Sequence, residues 1–320
     1  MSEIAEDVAV SNVNFLAGGG YSYFVPMNGK IESNRKDKKN LLTEFDKQGY
    51  KTFIGEKSFN AFKNYVPSND DKVFAAFSSD SMPYEIDRKS TNSKIPSLSE
   101  ISKKAIDVLS KHNKPFFLMI EAEGTDTLSH RHDAHAMIHE ALELDKAVKH
   151  AYNFYNKHPK DTLIIVTADH ETGGLVLGDP KKYFLDISAL MKTKGSTIHK
   201  FENFKSKDIM EIKVFVKENF GLDMLNKKEE KLLVAAINKE LSKPNKKYSN
   251  AGKRPIAITI ANIVSSRSGV SWGSTKHTAV PVVLTAIGAG SENFSGYLDN
   301  TQVSKKLASL LDFKLSEPLK

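Results

Sequence analysis

Residues 116–130 read Phe-Phe-Leu-Met-Ile-Glu-Ala-Glu-Gly-Thr-Asp-Thr-Leu-Ser-His, and residues 162–174 read Thr-Leu-Ile-Ile-Val-Thr-Ala-Asp-His-Glu-Thr-Gly-Gly. In both stretches a short apolar run, typical of a strand buried on both faces, leads directly into acidic residues and a histidine. In open α/β sheets, ligands bind outside the carboxyl ends of the strands. The two stretches therefore predict an α/β fold with a polar site at one edge of its sheet.

Apolar runs alternate with amphipathic segments along much of the chain. The apolar runs predict strands at residues 73–78, 115–120, 162–167 and 280–287. Helical periodicity predicts helices over 97–111 and 133–157. This order is typical of an α/β/α sandwich with a mostly parallel central sheet. Between about 183 and 250 the sequence changes to lysine-rich helical segments, at 207–219 and 228–241, so we predict a helical insertion or cap within one domain spanning 1–320.

Composition excludes several classes of protein. The 320 residues carry a formal net charge of +7, but the lysines that supply most of it are dispersed and do not alternate with aromatic side chains. We therefore predict a solvated basic surface and no nucleic-acid partner. No apolar run reaches the roughly 18 residues of a membrane span, and the acidic start at 1–7 lacks the apolar region of a signal peptide. The absence of cysteine excludes disulfides and thiolate zinc sites.

Residue types that bind metal ions follow the predicted strands. Asp126 and His130 are four residues apart, so one helical turn would place them on the same face. Asp169 and His170 follow the second apolar run, and His277 precedes the last one. Each of these residues is by itself compatible with a capping or packing role. Together, an aspartate and two histidines form the open three-ligand set of a catalytic zinc site.

In these three stretches the sequence resembles the alkaline phosphatase family. Glu121, Asp126 and His130 keep the family's spacing, residues 167–174 match its Thr-Ala-Asp-His-Glu-Thr-Gly-Gly signature, and His277 with the following threonine matches its last motif. The resemblance extends over nearly the whole chain, to residues 18–20, 82–85 and 296–301. It implies an alkaline-phosphatase-like fold and, in the complete enzyme, hydrolysis of a phosphate monoester through a phosphoserine.

The resemblance also implies where metal ions would bind. Asp126, His130 and His277 would hold a first zinc ion, Asp169 and His170 would contribute to a second, and Glu121 would contribute to a magnesium site. Two zinc ions about 4 Å apart can stabilise the attacking and leaving oxygens of a phosphoryl transfer. The resemblance further implies a homodimer, and a periplasmic or secreted location.

Two parts of the family pattern are missing from this sequence. No Asp-Gly dipeptide occurs, so we predict that the N-terminal strand carrying the bridging aspartate and the serine nucleophile are not on this chain. Ser81 follows an aspartate, but it lies beyond the glycine turn at 18–20 and we do not interpret it as the nucleophile. The same segment is similar to a sulfatase motif, except that Glu85 stands where that motif has arginine.

Three hypotheses therefore remain open for the function. The first is a phosphomonoesterase of which this chain supplies the carboxy-terminal metal ligands. The second is a non-catalytic metal-binding fragment or truncated product. The third is another metal-dependent phosphotransferase of the superfamily. We interpret His135 and His139, on the helix that follows the first stretch, as residues outside the site.

Overall fold

Helices and short strands alternate through a computed structural model that describes residues 1–27, 29, 31–178, 183–243, 246–248 and 250–315. The strands are β1 Phe15–Gly18, β2 Tyr50–Ile54, β3 Lys72–Ala76, β4 Leu163–Val166, β5 Glu171–Thr172, β6 Leu175–Leu177, β7 Val270–Trp272, β8 His277–Thr278 and β9 Thr285–Gly288. The helices are α1 Ser2–Val10, α2 Leu42–Lys47, α3 Phe59–Asn64, α4 Glu85–Ser90, α5 Leu98–Leu109, α6 Glu123–Ser129, α7 Ala134–Tyr155, α8 Thr197–Asn203, α9 Ile209–Phe220, α10 Lys227–Leu241, α11 Pro255–Arg267 and α12 Asn300–Leu310.

The amino-terminal part of the chain builds a parallel sheet between helices. β3 lies in the middle and pairs in parallel with both β1 and β2. Side chains alternate across a strand, so Phe74 packs with Phe45 of α2 on one face, while Val73 packs with Phe62 of α3 on the other. The rings of Phe45 and Phe74 stack with centroids 4.0 Å apart. This sheet with helices on both faces confirms the predicted α/β class.

A glycine turn joins β1 to the loop that follows β3. A Cβ at Gly19 would lie 2.1 Å from the carbonyl oxygen of Asp80, so only glycine fits there. The backbone N–H of Gly20 donates to the carbonyl oxygens of Ser78 and Asp80, at 3.0 and 2.7 Å. Ser81 lies exposed in this loop.

The strands of the second half do not extend the parallel sheet as predicted. β4 forms at the predicted place but pairs antiparallel with β9, and the predicted strand at 280–287 is reduced to β9. The strand predicted at 115–120 is not formed. An apolar run indicates burial but not a pairing partner, and 115–120 forms no strand pairing with the described residues. β5 pairs with β8 and β6 with β7, both antiparallel.

The helices agree more closely with the sequence. α5 begins at a capping box formed by Ser97 and Glu100, and Asp133 caps α7. α9 and α10 correspond to the two lysine-rich segments, and their apolar faces pack with α8 and α11 around Phe201, Ile212 and Ile256. That this helical region is an insertion or cap stays a prediction. No helix of the described residues combines the length and apolar character needed to cross a membrane.

Candidate metal centre

Asp126 and His130 lie on one turn of a short helix, as their spacing predicts. α6 begins at Glu123, and the backbone N–H of His130, its C-cap, donates to the carbonyl oxygen of Asp126 at 3.0 Å. The side chains point the same way, with His130 Nε2 3.4 Å from Asp126 Oδ2. Both residues are partly buried.

A pair of two-residue strands brings His277 to this helix. In the β5–β8 pair, Thr172 lies opposite His277 and Glu171 lies opposite Thr278. The Glu171 carboxylate accepts hydrogen bonds from the backbone N–H of Gly174 at 2.7 Å and from the Thr278 hydroxyl, so it joins the two strands. Desolvation raises the pKa of Glu171, but these hydrogen bonds outweigh it, and the net pKa lies below the usual value.

The turn that follows β5 depends on glycine. Gly173 has a φ of +90°, and a Cβ there would lie 2.7 Å from the ring of Trp272. The carbonyl oxygen of Gly173 accepts from the backbone N–H groups of Gly273 and Ser274, both at 3.0 Å. The Gly-Gly signature therefore holds the segment before His277 against the segment after Asp169.

Asp126, His130 and His277 converge on one point. His277 Nε2 lies 3.2 Å from His130 Nε2 and 3.6 Å from Asp126 Oδ1. The carbonyl oxygen of Thr275 lies 2.8 Å from His130 Nδ1 and can only accept, so Nδ1 carries the proton and the lone pair of Nε2 faces the cluster.

This donor set fits a zinc ion. Zinc–ligand distances of about 2.0–2.2 Å in a tetrahedron separate neighbouring ligand atoms by about 3.3–3.6 Å. The two Nε2 atoms lie 3.2 Å apart, His130 Nε2 is 3.4 Å from Asp126 Oδ2, and His277 Nε2 is 3.6 Å from the other carboxylate oxygen, Oδ1, so the separations are of this order. Within the described part of the chain, these residues form the one group of three such side chains whose ligand atoms all lie within 4.8 Å of one another.

The other three predicted ligands lie beside this group. The ring of His170 stacks on that of His277 with centroids 3.6 Å apart, and His170 Nε2 is 3.2 Å from Asp169 Oδ2. Asp169 and Glu121 are exposed. Both of them line the same cavity as Asp126 and His170.

That cavity is a cleft of about 1810 Å³ beside the metal-ligand cluster. Its walls include residues 115–122, β4, residues 279–284 and parts of α7 and α12. Several apolar side chains around it are exposed, including Phe117 at 59%, Met119 at 67% and Val283 at 81%. The apolar runs that predicted buried strands therefore face an open space.

The remaining histidines of this region have separate surroundings. The ring of His132 stacks on Trp272, and its nitrogens bond to the side chain of Asn262 and the carbonyl oxygen of Ser274. His135 is buried beside His139, and burial first, then the neighbouring ring, lowers the pKa of His135 to about 4. His135 and His139 lie outside the metal-ligand cluster.

Two polar residues near the ligands were not singled out from the sequence. Thr172 donates its hydroxyl proton to Asp126 Oδ1 at 2.5 Å, and Glu171 clamps the strand that carries His277. Both are part of the signature at 167–174, which was the available signal. The carbonyl oxygen of Thr275 has no signature, because a backbone group is the same in every residue.

Comparison with known proteins agrees with this geometry. The alkaline phosphatase family model matches residues 1–313. Alkaline phosphatase 4 of Bacillus subtilis is 32% identical over 302 residues, which cover 93% of this chain and 58% of that protein. Thermus thermophilus alkaline phosphatase superposes with a TM-score of 0.79 at 26% identity, covering 100% of this chain and 67% of that one. For the cold-active alkaline phosphatase of Shewanella sp. the TM-score is 0.74 at 25% identity, with coverages of 97% and 68%.

The chain therefore spans less than two thirds of the length of the Bacillus relative. The match nevertheless runs through nearly all of this sequence and includes the segments that carry the predicted metal ligands. The chain belongs to the alkaline phosphatase family.

Proposed function

We propose that this chain is the metal-binding portion of a phosphate monoester hydrolase. Alkaline phosphatases are metal-dependent phosphomonoesterases, and the convergence of Asp126, His130 and His277 at 3.2–3.6 Å is the observation that carries the proposal. These three residues would hold a first zinc ion. A divalent ion bound there supplies positive charge that stabilises a negatively charged phosphate oxygen.

We assign the neighbouring residues to further ions. Asp169 and His170 would contribute to a second zinc site, which is supported by the stacking of His170 on His277. Glu121 would contribute to a magnesium site, as the resemblance to the family implies, and carboxylate oxygens are the protein ligands that this ion takes. In this proposal these residues hold metal ions, and the serine nucleophile is not assigned to this chain. A homodimer, an exported location and the absence of a nucleic-acid partner stay predictions from the sequence.

Metal analysis of the purified chain after dialysis tests this proposal. Three ligands predict about one tightly bound zinc ion per chain. His277→Ala removes one ligand and should release the zinc, whereas His135→Ala, a matched change outside the cluster, should not. A parent chain without zinc, or zinc lost only in His135→Ala, would contradict the assignment.

A second candidate function is metal binding without catalysis. The observation that favours it is the open cleft beside Glu121 and Asp169, which is lined by exposed apolar side chains. Under this hypothesis the zinc-loaded chain hydrolyses a generic phosphate monoester far below the rate of about 10 per second typical of enzymes. Turnover at that rate, lost in Ser81→Ala, would show that the chain is catalytic and that Ser81 is its nucleophile.

A further inference from the structure

Two extended segments of the cleft leave their backbone hydrogen-bonding groups unused. Residues 115–121 alternate between exposed and half-buried, which is the period of a strand. No backbone–backbone hydrogen bond joins residues 114–121 or 279–284 to another described residue. β4, a third wall, pairs only with β9 among the described strands. A row of unpaired N–H and C=O groups is a template for a further strand.

The segment 115–122 and β4 run in the same direction. The first leads into α6, which carries Asp126, and β4 leads into β5, which carries Thr172. The hydroxyl of Thr172 donates to Asp126, so the carboxyl ends of both walls lie at the metal-ligand cluster. At the other end, Phe116 packs on Phe154, near the end of α7 that precedes β4. The two walls are therefore parallel, and both line the cleft.

Two helices turn apolar stripes into the same cleft. The lining residues of each helix are spaced by four and then three positions, namely Leu144, Val148 and Ala151 of α7 and Val303, Leu307 and Leu310 of α12. In parallel sheets, such helix faces pack on strands of apolar residues. The stripes therefore require an apolar occupant, and the unpaired backbone requires one that hydrogen-bonds along its length.

Among possible occupants, only a polypeptide strand meets both requirements. A small apolar molecule would leave the N–H and C=O groups of 115–121 unpaired, and a helix satisfies its own backbone groups. A second copy of this chain is disfavoured, because the unpaired apolar runs are themselves walls of the cleft and Phe116 holds one of them against α7. The Bacillus relative is covered to 58% and the Thermus protein to 67%, so both contain chain beyond the part that matches this one.

We propose that the cleft accepts a β-strand from a polypeptide outside these 320 residues, supplied by the part of an alkaline phosphatase that this chain does not cover. In strand addition, main-chain hydrogen bonds join the two partners while side chains fill the pockets on either side. The inference goes beyond metal binding and needs no metal ion. It is therefore tested with chelator present, so that its failure and the failure of the proposed function are distinguishable.

The first experiment uses the absence of cysteine, because a single introduced thiol then reports on one place. Met119→Cys puts the thiol on the cleft wall, where the native side chain is 67% exposed, and Val66→Cys is the control at an 81% exposed position outside the cleft. The probe is the part of Bacillus subtilis alkaline phosphatase 4 outside the 302 matched residues, refolded together with the chain. We expect a one-to-one complex by light scattering.

In that complex, a thiol reagent should modify Met119→Cys at least about tenfold more slowly than in the chain alone, and Val66→Cys at an unchanged rate. Equal modification of Met119→Cys with and without the probe would overturn the proposal. Dimers of the chain alone that protect this thiol would overturn it too, because a second copy would then be the occupant.

The second experiment tests the strand pairing by amide hydrogen exchange. The amides of 116–121 should exchange freely in the parent chain and at least about tenfold more slowly with the probe bound. Successive N–H groups of a strand point to opposite edges, so either Leu118→Pro or Met119→Pro removes the N–H that faces the cleft and should abolish the complex. Unprotected amides in the presence of the probe, whether or not the proline variants fold, or two folded proline variants that bind like the parent, would refute strand addition.

Discussion

Glu140 offers a test of how burial controls the pH dependence of stability. It lies on α7 beneath α6, where its carboxylate accepts from the backbone N–H of Glu85 at 2.5 Å. A Cβ at Gly124 would come within 2.6 Å of this carboxylate, so α6 packs directly on it. Burial, followed by the nearby Glu85 and Glu123 carboxylates, raises the pKa of Glu140 from 4.5 to about 7.

This pKa shift predicts the sign of the pH dependence. Because the folded chain holds the Glu140 proton more tightly than the unfolded chain, the neutral carboxyl favours folding, and this contribution is lost as pH rises from about 4.5 through 7. Each pKa unit corresponds to about 1.4 kcal/mol, so the whole shift corresponds to about 3 kcal/mol. Between about pH 5.5 and pH 8, the unfolding free energy should decrease by about 2 kcal/mol because of Glu140 alone.

Glu140→Gln isolates this contribution. Glutamine keeps the acceptor for the Glu85 N–H but does not ionise. The unfolding free energy of the Glu140→Gln variant should therefore exceed that of the parent, by an amount that grows by about 2 kcal/mol across that pH range. Urea unfolding with chelator present, at several pH values, measures the difference, and other titrating groups such as His135 cancel in it. Glu218→Gln, at an exposed glutamate of α9, should leave the pH dependence unchanged. Parallel curves for the parent and Glu140→Gln would refute the reasoning.

Two further predictions concern the cleft and the helical region. The exposed apolar walls of the cleft should bind a hydrophobic dye. Replacing Phe117 and Met119 together by serine should reduce the dye fluorescence and change the unfolding free energy by less than about 1 kcal/mol. A parent chain that binds no dye would show that the cleft is closed in solution. Arg254→Met should lower the unfolding free energy by about 3–5 kcal/mol, because it leaves the buried carboxylate of Glu240, 3.1 Å from the guanidinium, without its partner. An Arg254→Met loss below about 1 kcal/mol, by the same urea assay, would contradict that estimate.

Local sequence patterns determined the parts of this molecule that depend on local geometry. The four-residue spacing of Asp126 and His130 places them on one turn of α6, because the helix repeats every 3.6 residues. The capping box begins α5, because Ser97 and Glu100 are three residues apart and each side chain accepts from the other residue's backbone N–H. The glycines of the 167–174 signature were visible in the sequence, although the contact that requires Gly173 was not.

The pairing of the strands could not be predicted, because it depends on segments far apart in the chain. An apolar run at 162–167 indicates a buried strand, but its hydrogen bonds go to whichever edge packing brings near, and here that edge is β9 in the antiparallel direction. The run at 115–120 has the same composition and finds no strand partner among the described residues. Composition specifies the tendency to be buried, not the neighbour that buries it.

The sequence by itself supplied the ligand types of the metal-ligand cluster, and the tertiary structure decided their geometry. His277 lies 147 residues from His130, yet their Nε2 atoms are 3.2 Å apart, because the β5–β8 pair and the clamp of Glu171 bring their segments together. Which ring nitrogen of His130 faces the cluster is set by the carbonyl oxygen of Thr275, a backbone group that no sequence pattern distinguishes. Spacing along a helix fixes which side chains are neighbours within a turn, whereas contacts between distant segments exist only once the whole chain has packed.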